Sequence, residues 1–99
     1  MDNIKFIITK SHLKNKKYDG IFLNEYDKPL IIPFGQKNAS DYTIHGDILR
    51  RDRYRQRHQQ REDWETPFNA GSLSFHLLWG DSTNLNTNIR NFKKKFDLK

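Results

Sequence analysis

Residues 50–61, RRDRYRQRHQQR, hold six arginines and no aliphatic side chain. Such a segment cannot fill an interior, so any core must be assembled from the residues on either side of it. The chain has 99 residues, the size of one domain, and is read as a single small basic domain over residues 1–99. Only 34% of it is hydrophobic, but it carries seven Phe, four Tyr and two Trp. Aromatic side chains bury roughly 150–250 Å² each, so a few of them can anchor a small core.

Before the arginines the pattern is that of strands. In IKFIITK, Ile4, Phe6 and Ile8 recur with a period of two. KYDGIFLNEYDKPLIIPFG reads as a hairpin with arms Tyr18–Leu23 and Leu30–Phe34. Pro33 demotes the second arm to an edge strand or a strand end. After a loop at FGQKNAS, with Ser40 or Asp41 as helix cap, a long helix is expected over about residues 43–63; Gly46 weakens its first turns and moves its firm start towards Asp47. Pro67 ends that region. A short apolar helix comes next over Ala70–Trp79, with Gly80 after it. A last helix, capped by Ser82 or Thr83, places Leu85, Ile89, Phe92 and Phe96 on one stripe. The fold class is therefore α+β: a small N-terminal β-meander of about three strands, then about three helices.

On a helix, Arg50, Arg53, Arg57 and Arg61 fall within about 80° of one another and extend over about 16 Å of axis. Arg51 lies off this stripe and Arg55 nearly opposite it. Three readings compete: a solvated face with internal ion pairs to Asp47, Asp52, Glu62 or Asp63, a nucleic-acid contact, and a clamp on an acidic protein. The residue type favours binding, because a planar guanidinium holds phosphate bidentately. All six cations of this segment are arginine, while the rest of the chain has eleven lysines and one arginine. Two further basic clusters flank it, Lys10–Lys17 and Arg90–Lys95. The net charge of +6 suits an acidic partner. The candidate nucleic-acid contacts are Arg50, Arg51, Arg53, Arg57 and Arg61 with Lys14, Lys16, Lys17, Lys93, Lys94 and Lys95.

Other chemistry is poorly supported. There is no cysteine, hence no disulfide framework and no thiolate site. His12, His45, His58 and His76 have no metal-ligand spacing, and neither a metal nor a cofactor is expected. His45 is expected to pack near the helix start and His58 to flank Tyr54. No P-loop, G-x-S-x-G or H-E-x-x-H is present, and the chain is read as no enzyme. Trp64 and Trp79 are expected to plug the core. No signal peptide is expected, and no stretch approaches the ~20 apolar residues of a membrane span, so no membrane insertion is expected.

The segments FGQKNASDYTIHGDILRRDRYRQRHQQREDW and TPFNAGSLSFHLLWGDSTNLNTNIRNFKKKF, with NKKYDGIF upstream, resemble a family of small proteins from nucleocytoplasmic large DNA viruses, among them giant viruses and chlorella viruses. The resemblance rests on Phe34–Gly35, on Ser40, Asp41, Tyr42, Thr43 and His45, and on Asp47, Arg50, Arg51, Tyr54, Arg57 and His58. It continues through Trp64, Ala70–Gly71, Leu78–Trp79, Ile89 and Phe96. His76 departs from the family's more aromatic or basic helix. The resemblance implies a viral, virion-associated protein acting in the virion and in the host nucleus or viral factory. Double-stranded DNA, viral or host, is the expected partner; a minor capsid protein that binds acidic surfaces of other virion proteins is the alternative.

Overall fold

The computed structural model describes residues 3–99. Three strands, β1 (Lys5–Lys10), β2 (Lys16–Leu23) and β3 (Leu30–Gln36), form an antiparallel meander in the order β1-β2-β3. Phe6 lies opposite Phe22, which lies opposite Leu30. Ile8, Gly20 and Ile32 form the next row, and Tyr18 and Phe34 the one after, all on the face that receives the helices. β3 is an edge strand, as Pro33 requires. The other edge is capped by the end of the chain: Phe6 N–H donates to the Lys99 carbonyl at 2.8 Å and Lys99 N–H to Ile4 at 2.9 Å.

Gly20 sits mid-strand for a packing reason. A Cβ there would lie 2.9 Å from Leu73 Cδ1 and 3.1 Å from Phe6 Cε1, so the helical layer rests on the sheet where β2 has no side chain. On the opposite face of β2, Asp19 is buried beneath the β1–β2 loop. Burial opposes its charge, but hydrogen bonds from the His12 ring (2.6 Å), the Ser11 hydroxyl (2.7 Å) and the His12 N–H (3.1 Å) outweigh it and hold the carboxyl below its ordinary range.

The expected long helix is two helices. α1 (Tyr42–His45) starts at Asp41, whose carboxylate accepts from Thr43 N–H, and ends at Gly46 with φ +64°. A residue in that left-handed conformation stops an α-helix. Asp47 then caps α2 (Ile48–His58), accepting from Leu49 and Arg50 N–H, while its own N–H donates to His45 Nδ1 at 2.8 Å. α2 stops five residues short of the expected Asp63 because Glu62 turns back to His58 and Trp64 stacks on Phe75 at 3.8 Å.

The apolar helix begins as α3 (Ala70–Leu73), capped by Asn69, and widens at once into a π-helical turn over Ser74–Leu78. Gly80 comes after it because a Cβ would sit 2.3 Å from the His76 carbonyl oxygen. α4 (Leu85–Lys95) is capped by Asn84. It buries Phe92, with Phe96 just beyond its end, and half-buries Leu85 and Ile89, so the stripe read from sequence is the buried face. Asn88, buried beside them, donates to the carbonyls of Leu77 and Ser82 and accepts from Ser82 N–H, tying α4 to the preceding turn. The core is aromatic: Phe22, Phe6, Phe92 and Phe96 form a chain of ring contacts at 5.0, 5.0 and 5.1 Å. Both tryptophans are half-buried and stacked on another ring; Trp79 packs against the core as expected, whereas Trp64 lies outside the core cluster.

His76 packs against Phe92 and Phe96, and its Nε2 lies 2.9 Å from the Trp64 carbonyl that accepts its proton. Burial is the main cause that pushes its pKa below the ordinary value near ~6.5, so the ring is neutral at pH 7. A base with a depressed folded-state pKa contributes its full stability above the unfolded value and loses it as pH falls below that value. The melting temperature is therefore expected to fall between about pH 7 and pH 5, with a shallower fall in His76→Gln. Equal slopes in the two proteins would show that His76 titrates alike in both states.

Candidate nucleic-acid interface

α2 buries none of its residues fully, and its inward face is unusual in composition. Arg51, Tyr54, Arg55 and His58, spaced i, i+3, i+4 and i+7, are the half-buried positions of its last turns. Aliphatic residues normally hold this spacing; here two guanidinium groups and two rings do. The Arg55 Nε and Nη2 donate to the Trp79 carbonyl at 3.1 and 2.9 Å, Nη2 also reaches Asp81 at 3.1 Å, and the guanidinium lies 4.9 Å from the Phe75 ring centroid. Arg55 thus satisfies a carbonyl left open where the π turn ends. Arg51 lies 5.0 Å from the Tyr42 ring centroid and pairs with Asp52 at 3.3 Å. The Tyr54 ring is parallel to Trp79 at 4.2 Å and flanked by His58 at 4.1 Å. Burial, aided by the Glu62 carboxylate, pushes the Tyr54 hydroxyl's pKa up, and it stays neutral.

The outward face carries Arg50, Arg53 and Arg57, with exposed Arg61 in the turn after the helix, so the stripe has three helical members rather than four. Each of the four carboxylates that could neutralise it is engaged elsewhere. Asp47 caps α2, Asp52 pairs with Arg51, Glu62 binds His58 at 2.9 Å and the Trp64 indole at 2.9 Å, and Asp63 holds Glu65 N–H. Arg50, Arg53, Arg57 and Arg61 form no ion pair among the described residues.

The lysine clusters divide. Lys16 and Lys17 share a cleft with Arg57, and Lys14 is exposed in the loop beside them. Lys17 is already engaged: its ammonium lies 2.5 Å from Asp41, and the two side chains are 15% and 3% exposed. Asp41 also accepts from the Thr43 hydroxyl and N–H, so one carboxylate joins β2 to the start of α1. Asp41→Ala is expected to cost about 2–3 kcal/mol by removing a cap and stranding a largely buried ammonium. Denaturant unfolding measures this, and a loss below about 0.5 kcal/mol would mean that Lys17 escapes to water freely. On α4, Lys94 and Lys95 are exposed and Lys93 half-buried; Lys95 lies 3.8 Å from Glu65 and lines a second cleft with Arg55, on the side of α2 away from the stripe.

The first cleft, about 360 Å³, escaped the sequence reading because its walls come from residues as distant as Lys16 and Trp79. Glu62 is seated at its rim because residue 71 is glycine: a Cβ there would lie 2.9 Å from the Glu62 carboxyl carbon. Glu62 in turn holds the His58 Nδ1. Among the described residues no group of three or more His, Asp or Glu is placed to hold a metal ion, and no helix is long and apolar enough to cross a membrane.

These features define a small α+β protein with an exposed arginine face beside a lysine-lined cleft. Residues 6–58, the sheet through the end of α2, match the family of unknown function DUF5754, and the chain belongs to that family. No curated protein and no solved structure matches it.

Proposed function

We propose that the protein binds double-stranded DNA through the outward face of α2, chiefly at phosphates, as a component of a virion. The reading is carried by one observation: Arg50, Arg53, Arg57 and Arg61 are exposed while every nearby carboxylate is held by another group. Like charges at i, i+4 cost a few tenths of a kcal/mol per pair in an isolated helix, and an anionic partner offsets that cost. α2 is eleven residues long, about 16 Å of axis, against one duplex charge per ~1.7 Å. The virion assignment rests on the resemblance to proteins of large DNA viruses.

A second reading is favoured by Ile44 of α1 and by Ile48 and Leu49 at the start of α2, which are 66%, 54% and 66% exposed. Apolar residues beside arginines suit an acidic protein surface, as a minor capsid component would meet. A gel-shift titration on unrelated duplexes at about 50 mM salt, with polyglutamate as competitor, separates the two. Binding of all duplexes alike, resistant to polyglutamate, is the expected result. A protein that ignores DNA at that salt and co-purifies with capsid protein belongs to the second class.

A further inference from the structure

The cleft beside the stripe has more structure than a charged surface needs. Within it Lys17 pairs with Asp41, and the two Glu62 carboxylate oxygens are taken up by hydrogen bonds with the His58 ring and the Trp64 indole. Lys16 and Arg57 remain, two cations with no ion pair among the described residues, facing one space. An anion is the complement. The volume of about 360 Å³ exceeds what a bare phosphate fills and lies within the range of small-molecule sites, roughly 300–1,000 Å³. Its remaining lining is largely uncharged: the exposed Ala39 and Ala70 at the walls, the half-buried Tyr54 and Trp79 rings, and Phe34 and Leu78 as floor. The Glu62 carboxylate engages His58 Nδ1 and leaves Nε2 as that ring's remaining polar atom.

We propose that this cleft binds a single nucleotide unit, with its phosphate between Lys16 and Arg57 and its sugar and base against the uncharged walls. The inference rests on the DNA-binding reading for the nucleotide character of the ligand and shares Arg57 with it. A backbone phosphate within a duplex meets the convex face of α2. A receding cleft admits a group that projects from a strand, or one that is free. The phosphate monoester of a 5′-mononucleotide and that of a strand's 5′ end have the same chemistry.

The test is titration of the full chain, followed by amide NMR and calorimetry. The probes are a 5′-mononucleotide, the matching nucleoside, inorganic phosphate, and a short single strand with and without a 5′-phosphate. The mononucleotide is expected to shift the amides of Ser40, Arg57 and Ala70 and to bind at least about tenfold more tightly than either the nucleoside or inorganic phosphate. Lys16→Gln and Arg57→Gln should each weaken it about tenfold, and Lys28→Gln, in the β2–β3 turn far from the cleft, should leave it unchanged. A phosphorylated strand that outbinds its hydroxyl counterpart, with the difference lost in Lys16→Gln, assigns the cleft to strand ends. A mononucleotide that binds while the two strands bind alike assigns it to free nucleotides. Inorganic phosphate binding as tightly as the mononucleotide, or no mononucleotide binding in the millimolar range, overturns the proposal. Duplex affinity is a separate readout that depends on Arg53: nucleotide binding without duplex binding retains the cleft and removes the DNA reading, and the reverse removes the cleft alone.

Discussion

Phe92→Ala is expected to remove about 3–5 kcal/mol of stability, the range found when a buried aromatic is truncated in a core that cannot close around the gap. Phe92 is 1% exposed and its ring meets Phe6 of β1 at 5.0 Å, Phe96 at 5.1 Å and His76 at 5.6 Å. It joins the sheet, the π turn and the last helix in one contact set, so relaxation of any one element leaves the other two facing a void. Domains of this size are stable by about 5–15 kcal/mol in total, and 1 kcal/mol moves the melting temperature by roughly 4–8 °C. A fall of about 12 °C or more, on the order of three such steps, is therefore expected in thermal melts monitored by far-ultraviolet circular dichroism. Unchanged melting would show that α4 is peripheral to the cooperative unit.

The sheet and α4 were legible because their side chains obey a simple period. Phe6 and Ile8 alternate, Phe22 and Phe34 face the same layer, and Phe92 and Phe96 sit one turn apart; each pattern depends only on the local geometry of strand or helix. At Gly46 the sequence indicates only a weakening of the first turns of one long helix; the structure breaks the helix there outright, with Asp47 as a new cap. The features that escaped were set by contacts between distant residues. The helix ends at His58 because Glu62 and Trp64 find partners in His58 and Phe75, and no propensity within residues 59–63 announces that. Arg55 lies nearly opposite the stripe in the helical projection. That position is the one a helix turns inward, and its guanidinium binds the end of the π turn. The spacing of Arg51, Tyr54, Arg55 and His58 was the available signal, obscured because the inward positions of a helix are expected to be aliphatic. Arg51 and Lys17 are correspondingly reduced as contacts for a partner, each being already engaged with a ring or a carboxylate of this chain.

That distribution sharpens the salt dependence of DNA binding. Each phosphate contact releases condensed counterions, so the logarithm of affinity falls with the logarithm of salt concentration by about 0.9 per contact on duplex DNA. On the proposed DNA-binding reading, Arg50, Arg53, Arg57 and Arg61, with Lys16 facing the same cleft as Arg57, are the contacts counted on this side of the molecule. A slope near about −5 is expected, a loss of about a thousandfold in affinity between roughly 50 and 200 mM salt. The double variant Arg53→Gln/Arg57→Gln should reduce the slope's magnitude by about two and weaken all sequences alike. Arg55→Gln, which the helical projection offers as the silent comparison, is unsuitable because it releases the Trp79 carbonyl and disturbs the fold. Lys28→Gln takes its place. Lys28 lies in the β2–β3 turn, at the far end of the hairpin from Lys16 and Gln36, and its replacement removes the same unit of charge. The arginine face requires Lys28→Gln to leave the slope nearly untouched while the double variant flattens it. If Lys28→Gln weakens binding as much as Arg57→Gln alone does, position on α2 carries no information, and the six arginines act as a diffuse cloud of charge.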